Sequence, residues 1–336
     1  VLGAGTWGIT LACLLADQGR AVTAWDIAPA VIDQLARDRS PTRLPHLRLP
    51  EALRVTPSLP EAMGGASTVV VVAPSHAVRG LCQTLRDERL LGEGVPLVLC
   101  SKGIEQDTLS LMTEVVAQEL GAETPTVVLS GPSHAEEVSK QIPTAVVVAA
   151  EDPALAERIQ ALFNTDRFRV YTQSDVVGVE LAAALKNVIA ISAGACVGLG
   201  LGDNSLAALI ARGLAEITRL GKRRGAHPET FAGLAGIGDL VVTAMSEHSR
   251  NRRFGRLMAQ GRTAEEAQVE IGMVVEGVRT ARAARAMSQR EEIYMPITEA
   301  VVSVIDGHLP VSEAVDALMA KEPKPEIYMT LDDLRS

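Results

Sequence analysis

Short apolar runs separated by helix-length stretches restrict this chain more than any other feature. Val69-Val70-Val71-Val72, Leu97-Val98-Leu99-Cys100, Val127-Val128-Leu129 and Ala145-Val146-Val147-Val148 contain no polar residue at all. A strand with one wet face alternates apolar and polar; a strand covered on both faces does not. These runs therefore predict buried strands of a mainly parallel sheet, with the intervening helices on both of its faces. Ligands of such sheets lie outside the carboxyl ends of the strands. After Phe168-Arg169-Val170-Tyr171 the strand signals fade, and from Asp175 onward nearly everything has helical period. A length of 336 residues suits two domains. The expected division is 1–173 for the α/β domain and 174–336 for an all-helical one, with the boundary near Thr172 to Ser174.

The chain opens on Gly3-Ala4-Gly5-Thr6-Trp7-Gly8, a G-x-G-x-x-G turn, followed by a helical pattern (Ile9, Leu11, Ala12, Leu14, Leu15) that ends at Gly19. In a Rossmann-type unit Gly3 makes the tight turn, Gly5 admits a pyrophosphate close to backbone, and Gly8 lets helix pack on strand. Phosphate would then sit on the N–H groups of the helix beginning near Trp7. A strand normally precedes such a turn, and Val1-Leu2 is too short for one, so the numbering is expected to lack residues before Val1. The strand Ala21-Val22-Thr23-Ala24-Trp25 leads into Asp26, 18 residues past Gly8. A carboxylate there accepts from both ribose hydroxyls of NAD and repels the 2′-phosphate of NADP; the alternative is a helix cap before Pro29. The proline-bearing segment Arg39 to Arg54 has little periodicity and reads as an excursion on the cofactor side.

Three strand ends carry polar groups: Ala73-Pro74-Ser75-His76, Ser101-Lys102-Gly103 and Ser130-Gly131-Pro132-Ser133-His134-Ala135. Lys102 is a natural cation for phosphate, and Gly131 permits close backbone approach. His76 and His134 read as loop residues without catalytic duty.

In the second half, Ala182-Ala183-Ala184-Leu185-Lys186-Asn187-Val188-Ile189-Ala190 reads as a helix whose lysine has only small or apolar neighbours at helical spacing. A lysine on a buried face needs a partner or loses its charge. A lowered pKa would make Lys186 a proton donor and acceptor near neutrality; the alternative is a lysine snorkelling to a helix rim. In Gly233-Leu234-Ala235-Gly236-Ile237-Gly238-Asp239-Leu240, three glycines suggest tight packing that presents the Asp239 carboxylate. Ser249-Arg250-Asn251 offers hydroxyl, guanidinium and amide donors suited to an oxyanion, although Ser246 to Arg253 by itself is equally a solvated turn. Val274-Val275-Glu276-Gly277 is either a second cofactor contact or a helix start, and Thr263 with Glu266 forms a capping box.

A net charge of −9 argues against nucleic acid as partner, while a small anion needs only a few focused cations. Cys13, Cys82, Cys100 and Cys196 lie far apart without metal spacing and read as buried thiols of a reducing, cytoplasmic compartment. No metal site is expected. The uncharged run Asn187 to Gly202 is short and glycine-bearing, so a buried helix and a turn are expected there and not a membrane span. Pro323 and Pro325 mark a terminal tail.

Taken in order, Gly3-Ala4-Gly5-Thr6-Trp7-Gly8, Ser101-Lys102-Gly103, Ser130-Gly131-Pro132-Ser133, Leu185-Lys186-Asn187-Val188, Gly236-Ile237-Gly238-Asp239-Leu240, Ser249-Arg250-Asn251 and Val275-Glu276-Gly277 resemble the bacterial NAD(P)-dependent glycerol-3-phosphate dehydrogenases. The resemblance implies a Rossmann domain and a helical substrate domain with the site between them. It implies interconversion of sn-glycerol 3-phosphate and dihydroxyacetone phosphate, supplying phospholipid synthesis, and a homodimer. It places Thr6, Trp7, Ala135, Arg250, Val274 and Glu276 on the cofactor, and Lys102, Gly131, Ser133, Lys186, Asp239, Ser249, Arg250 and Asn251 on the substrate, with Lys102 near both. Lys186 would transfer the proton and Asp239 would orient it. The family often has arginine or histidine two residues after the second-strand tryptophan; Ile27 stands there, after Asp26, which favours NAD over NADP. The competing expectations are a two-domain dehydrogenase for another substrate, and a silent nucleotide-binding regulator.

Overall fold

The computed structural model describes residues 1–322 and 326; the prolines of the terminal tail, Pro323 and Pro325, lie outside the described residues. The chain forms two compact units. Val1–Ser101 with Met112–Val176 makes the first, and Lys102–Leu111 joins the described residues from Val177 onward in the second.

In the first unit the strands are β1 (Thr23–Trp25), β2 (Arg54–Thr56), β3 (Val69–Val71), β4 (Leu97–Leu99), β5 (Thr126–Ser130), β6 (Thr144–Ala149) and β7 (Phe168–Gln173). β1 pairs with β2, and β3 to β7 pair in chain order; all pairings are parallel except β5 with β6. Leu2 joins the two sets, bridging Trp25 on one side and Val71 on the other. Its neighbours complete the ladder: Gly3 N–H donates to Trp25 O (2.8 Å) and Val72 N–H to Leu2 O (2.8 Å). The strand order therefore reverses at the opening residues, the point where a sheet of this type binds its ligand.

The unbroken apolar runs have a direct cause. Val70, Val98, Val127 and Val146 enter one core cluster with helices Thr6–Asp17 and Pro153–Phe163. Val69, Val71, Leu97 and Leu99 enter another with helices Val78–Asp87 and Met112–Leu120. Successive residues of one strand point to opposite faces, and both faces are covered.

The strand β2 was not expected within or beyond the Arg39–Arg54 excursion. It is short, with Arg54 exposed, and hydrogen bonds rather than periodicity shape the segment before it. Arg39 donates to Pro50 O (2.6 Å) and Leu53 O (3.2 Å), and accepts from Leu49 N–H (2.9 Å).

The second unit is helical. Its centre is Val176–Gly198, buried on nearly every side. By length and composition this helix could cross a membrane, but the most apolar 18-residue window is 83% buried within the protein, as a core helix would be. Helix Arg250–Ala259 crosses it at backbone contact: a Cβ on Gly255 would stand 1.8 Å from Ile191 O, and one on Gly194 1.8 Å from Arg252 O. Gly255→Ala must therefore push the two helices apart. The expected loss is about 3 kcal/mol, read from the urea midpoint; an unchanged midpoint would show that the crossing tolerates displacement.

Candidate active site

The glycine turn, Asp26, Gly131, Ser133 and Ala135 lie in the first unit. Gly3 has φ +108°, a conformation open to glycine, and a Cβ on Gly8 would fall 1.8 Å from Gly3 O. At Gly5 a Cβ would meet nothing within 4 Å, so the space over the middle glycine is clear. Helix Thr6–Asp17 starts there with no side-chain cap and no acidic residue in its first turn. Its N-terminal N–H groups and dipole suit a phosphate, and the open cradle fits a dinucleotide pyrophosphate. Trp7, half-buried, leans on Phe168 with ring centroids 6.3 Å apart.

Asp26 is not the cap of the following helix: Ala28 holds that position, without a side-chain bond. The carboxylate instead accepts from Ala4 N–H (2.8 Å) and Ala28 N–H (3.0 Å). Gly131 has φ +134°, and a Cβ there would lie 3.0 Å from Val146 Cα, so only glycine carries β5 around this corner. Ser133 Oγ donates to Gly131 O (3.1 Å), and Ala135, buried, begins the short helix Ala135–Val138.

The chemistry-bearing groups converge in the second unit. Lys186 is buried on the core helix, and its Nζ donates to Asp239 Oδ1 and to Thr243 Oγ1 (2.7 Å). Lys102 Nζ donates to the other carboxylate oxygen, Asp239 Oδ2 (2.8 Å). Asp239 is the first residue of helix Asp239–Met245, aimed by the glycine-rich turn before it. That turn is tight: a Cβ on Gly236 would lie 2.0 Å from Phe231 O. One carboxylate thus holds two ammonium groups, brought together from positions 137 and 53 residues away.

The electrostatics follow. Burial strips water from Lys186 and lowers its pKa to about 7; Asp239 opposes the shift, and Lys102 adds to it. Burial alone would raise the Asp239 carboxyl, yet the charges and hydrogen bonds of Lys102 and Lys186 hold it below the ordinary carboxylate range.

A second group of polar bonds adjoins this one. Ser249 caps helix Arg250–Ala259 through Arg252 N–H (3.2 Å), so its hydroxyl already has a structural task. Arg250 Nη1 donates to Val274 O (2.9 Å). Asn251 is buried: its Nδ2 donates to Asn187 Oδ1 (2.8 Å) and its Oδ1 accepts from Gly277 N–H (2.9 Å). Val274 is partly exposed, and Glu276 is the first residue of helix Glu276–Arg290, so Val274–Gly277 is a helix start tied to Arg250 and Asn251.

Sequence reasoning had not singled out Thr243 or Asn187 as site residues. Thr243 lies one helical turn after Asp239, a spacing that puts it on the carboxylate's face without naming its lysine partner; Asn187, directly after Lys186, points to another face and carried no such signal. Among the described residues no group of three or more His, Cys, Asp or Glu side chains could hold a metal.

A clear glycine cradle at a helix N-terminus and a buried lysine poised near neutrality define the class: a dinucleotide-dependent dehydrogenase. The family models for the N-terminus and C-terminus of NAD-dependent glycerol-3-phosphate dehydrogenase match residues 1–156 and 175–316. Glycerol-3-phosphate dehydrogenase [NAD(P)+] of Anaeromyxobacter dehalogenans is 50% identical over 330 residues, covering 97% of this chain and 99% of that protein. The Geobacter sulfurreducens protein of the same name is 50% identical over 329 residues, covering 97% and 98%. The crystal structure of glycerol-3-phosphate dehydrogenase from Coxiella burnetii superposes with a TM-score of 0.91 at 37% identity, covering 95% and 98% of the two chains. The chain belongs to the NAD-dependent glycerol-3-phosphate dehydrogenase family.

Proposed function

We propose that this chain interconverts sn-glycerol 3-phosphate and dihydroxyacetone phosphate, with NAD as its main cofactor and NADP as the lesser one. Lys186 is the general acid and base. The observation that carries this is the valence count at its Nζ. A lysine ammonium has three donors; one goes to Asp239 Oδ1 and one to Thr243 Oγ1. Thr243 Oγ1 donates its own hydrogen to Asp239 O (2.6 Å), so it accepts from Lys186. One position on the nitrogen remains. In the ammonium it holds the proton for a substrate oxygen, and in the amine it holds the lone pair that takes that proton back.

A nicotinamide held on the glycine turn would provide hydride chemistry, giving hydride to the carbonyl carbon in reduction and taking it from the carbinol carbon in oxidation. In reduction Lys186 delivers its proton to the carbonyl oxygen; in oxidation it removes the hydroxyl proton. Lys102, on the same carboxylate, adds positive charge where the alkoxide develops. Arg250 and the second amide hydrogen of Asn251 grip the phosphate and position the reacting carbon, with Gly131, Ser133 and Ser249 as further substrate contacts. Trp7, Ala135, Val274 and Glu276 are cofactor contacts. The product feeds phospholipid synthesis. The assembly is a homodimer, and a reducing, cytoplasmic compartment fits the four buried free thiols; burial pushes Cys13 up to about 12 and Cys82 up to about 11, which keeps both unreactive.

The test is the initial rate of NADH oxidation with dihydroxyacetone phosphate across pH. Reduction needs the ammonium, so its kcat/KM is expected to be flat below about 7 and to fall above it. Oxidation of glycerol 3-phosphate needs the amine, so its kcat/KM should rise through the same region. No turnover in protein that binds NADH would overturn the proposed function; turnover with both limbs absent would remove Lys186 from proton transfer.

A further inference from the structure

The second unit holds a cavity of about 490 Å³, lined by none of the residues assigned to substrate or cofactor. That volume is in the range of small-molecule sites. Its walls come from helices Glu276–Arg290, Pro296–Ile305 and Val311–Met319 and from the turn 291–295. Ile293, Met295, Leu309 and Leu318 make much of the lining apolar. One wall is fixed in advance by helix Asp203–Arg223. Arg219 Nη2 donates to Tyr294 O (2.9 Å), and the buried Glu216 carboxylate accepts from Ile297 N–H (2.9 Å) and Thr298 N–H (2.8 Å).

The charged groups of the lining are Glu292, Glu299 and Lys321, so negative charge is in excess. Lys321 Nζ donates to Tyr294 Oη (2.6 Å) and stands 4.7 Å from the centre of the Tyr294 ring. The aromatic face of this cavity thus already takes an ammonium, one from the protein's own chain. The ion pair of Glu299 with Arg285 is long, at 3.9 Å. Glu292 occupies a position built for glycine. Ile293 N–H donates to Ser288 O (2.8 Å) and Glu292 N–H to Gln289 O (3.3 Å), the two bonds of a Schellman helix end. Glu292 has φ +55° there, a conformation that glycine adopts without steric cost, and in its place a carboxylate joins the lining.

We infer that this cavity is a binding site for a small amphiphilic cation. Its alkyl chain lies among Ile293, Met295, Leu309 and Leu318, and its ammonium takes the Tyr294 ring in place of Lys321, with Glu292 and Glu299 as counter-charges. Charge selects the class. The phosphorylated substrate and the dinucleotide are anions, which two carboxylates repel, so the cavity is not a second site for either. An uncharged apolar ligand would fill the walls and leave the ring to Lys321. Lys321 is exposed, and an exposed pairing of a long side chain is given up at little cost.

The test is calorimetric titration of the full chain, without substrate or cofactor, with octyltrimethylammonium, octanol and octyl sulfate below their micellar concentrations. The ammonium is expected to bind at least about fivefold tighter than octanol, through the ring and the carboxylates, and octyl sulfate to bind weakest. Lys321→Ala removes the internal competitor, so it should tighten the ammonium by about threefold or more. Glu292→Gln should weaken the ammonium by about threefold. Octanol affinity should stay the same in both variants, which also shows that the cavity is still formed. Ala317→Phe, at an exposed position of the wall, narrows the cavity and should abolish binding of the ammonium. Equal affinity for the ammonium and octanol, or no binding of either, would overturn the assignment. So would an ammonium bound as tightly by Ala317→Phe, or more weakly by Lys321→Ala. A second copy of the chain as the occupant would also overturn it; probe affinity would then fall as protein concentration rises, in step with dimerisation measured by sedimentation.

Discussion

Lys186→Met is expected to lower kcat for dihydroxyacetone phosphate reduction by about a hundred- to ten-thousand-fold, the usual worth of a general acid. Methionine keeps the length and bulk of the side chain in a helix buried on nearly every side. Asp239 retains Lys102 at 2.8 Å, so its carboxylate is not left without a counter-charge. Lys186 is not among the residues assigned to the dinucleotide, and the glycine turn that would hold the pyrophosphate lies in the other unit, so NADH affinity should be nearly unchanged. The measurement is kcat together with a fluorescence titration of NADH. Retained turnover would sink the proton-transfer role; loss of NADH binding would show that the substitution acts through the fold.

Asp239→Asn is expected to damage stability and catalysis together. Two ammonium groups share this carboxylate, and both Lys186 and Asp239 are buried. Removing one partner of a buried ion pair costs about 3–5 kcal/mol, which a urea titration would detect. The catalytic effect has a definite sign. Asp239 raises the proton affinity of Lys186, whereas burial and Lys102 lower it. With the carboxylate gone, only the lowering influences remain, so the Lys186 pKa falls below about 7 and the ammonium needed for reduction is scarce at neutral pH. The falling limb of the reduction profile should move to lower pH in Asp239→Asn. A limb that stays in place, in protein that remains folded, would mean that Asp239 does not tune Lys186.

The fold was legible in the sequence because its pattern is local. Apolar runs such as Val69 to Val72 report two covered faces, and the structure sends alternate residues of them to different cores. Gly3, Gly5 and Gly8 announce a turn through what their missing Cβ atoms permit. The Thr263–Glu266 capping box forms as its spacing requires. Lys186 stood out because no polar residue shares its helical face.

β2 was illegible because three residues at a sheet edge carry no period, and the segment leading to it is held by Arg39 reaching distant carbonyls. Thr243 and Asn187 were overlooked because short polar residues in helices are common, and nothing along the chain says which of them meets a lysine.

What the sequence alone determined is therefore the kind of element, the side that is buried, and the anomaly of a lysine on an apolar face. Tertiary structure decided the partners. It set Lys102 and Lys186 on opposite oxygens of Asp239, Asn251 between Asn187 and Gly277, and Asp26 on the N–H of Ala4. The reason is physical. Burial and periodicity are properties of neighbours along the chain, whereas the partner of a buried polar group depends on how closely helices and strands approach. Here that approach is set by contacts such as Gly255 on Ile191, which no local pattern encodes.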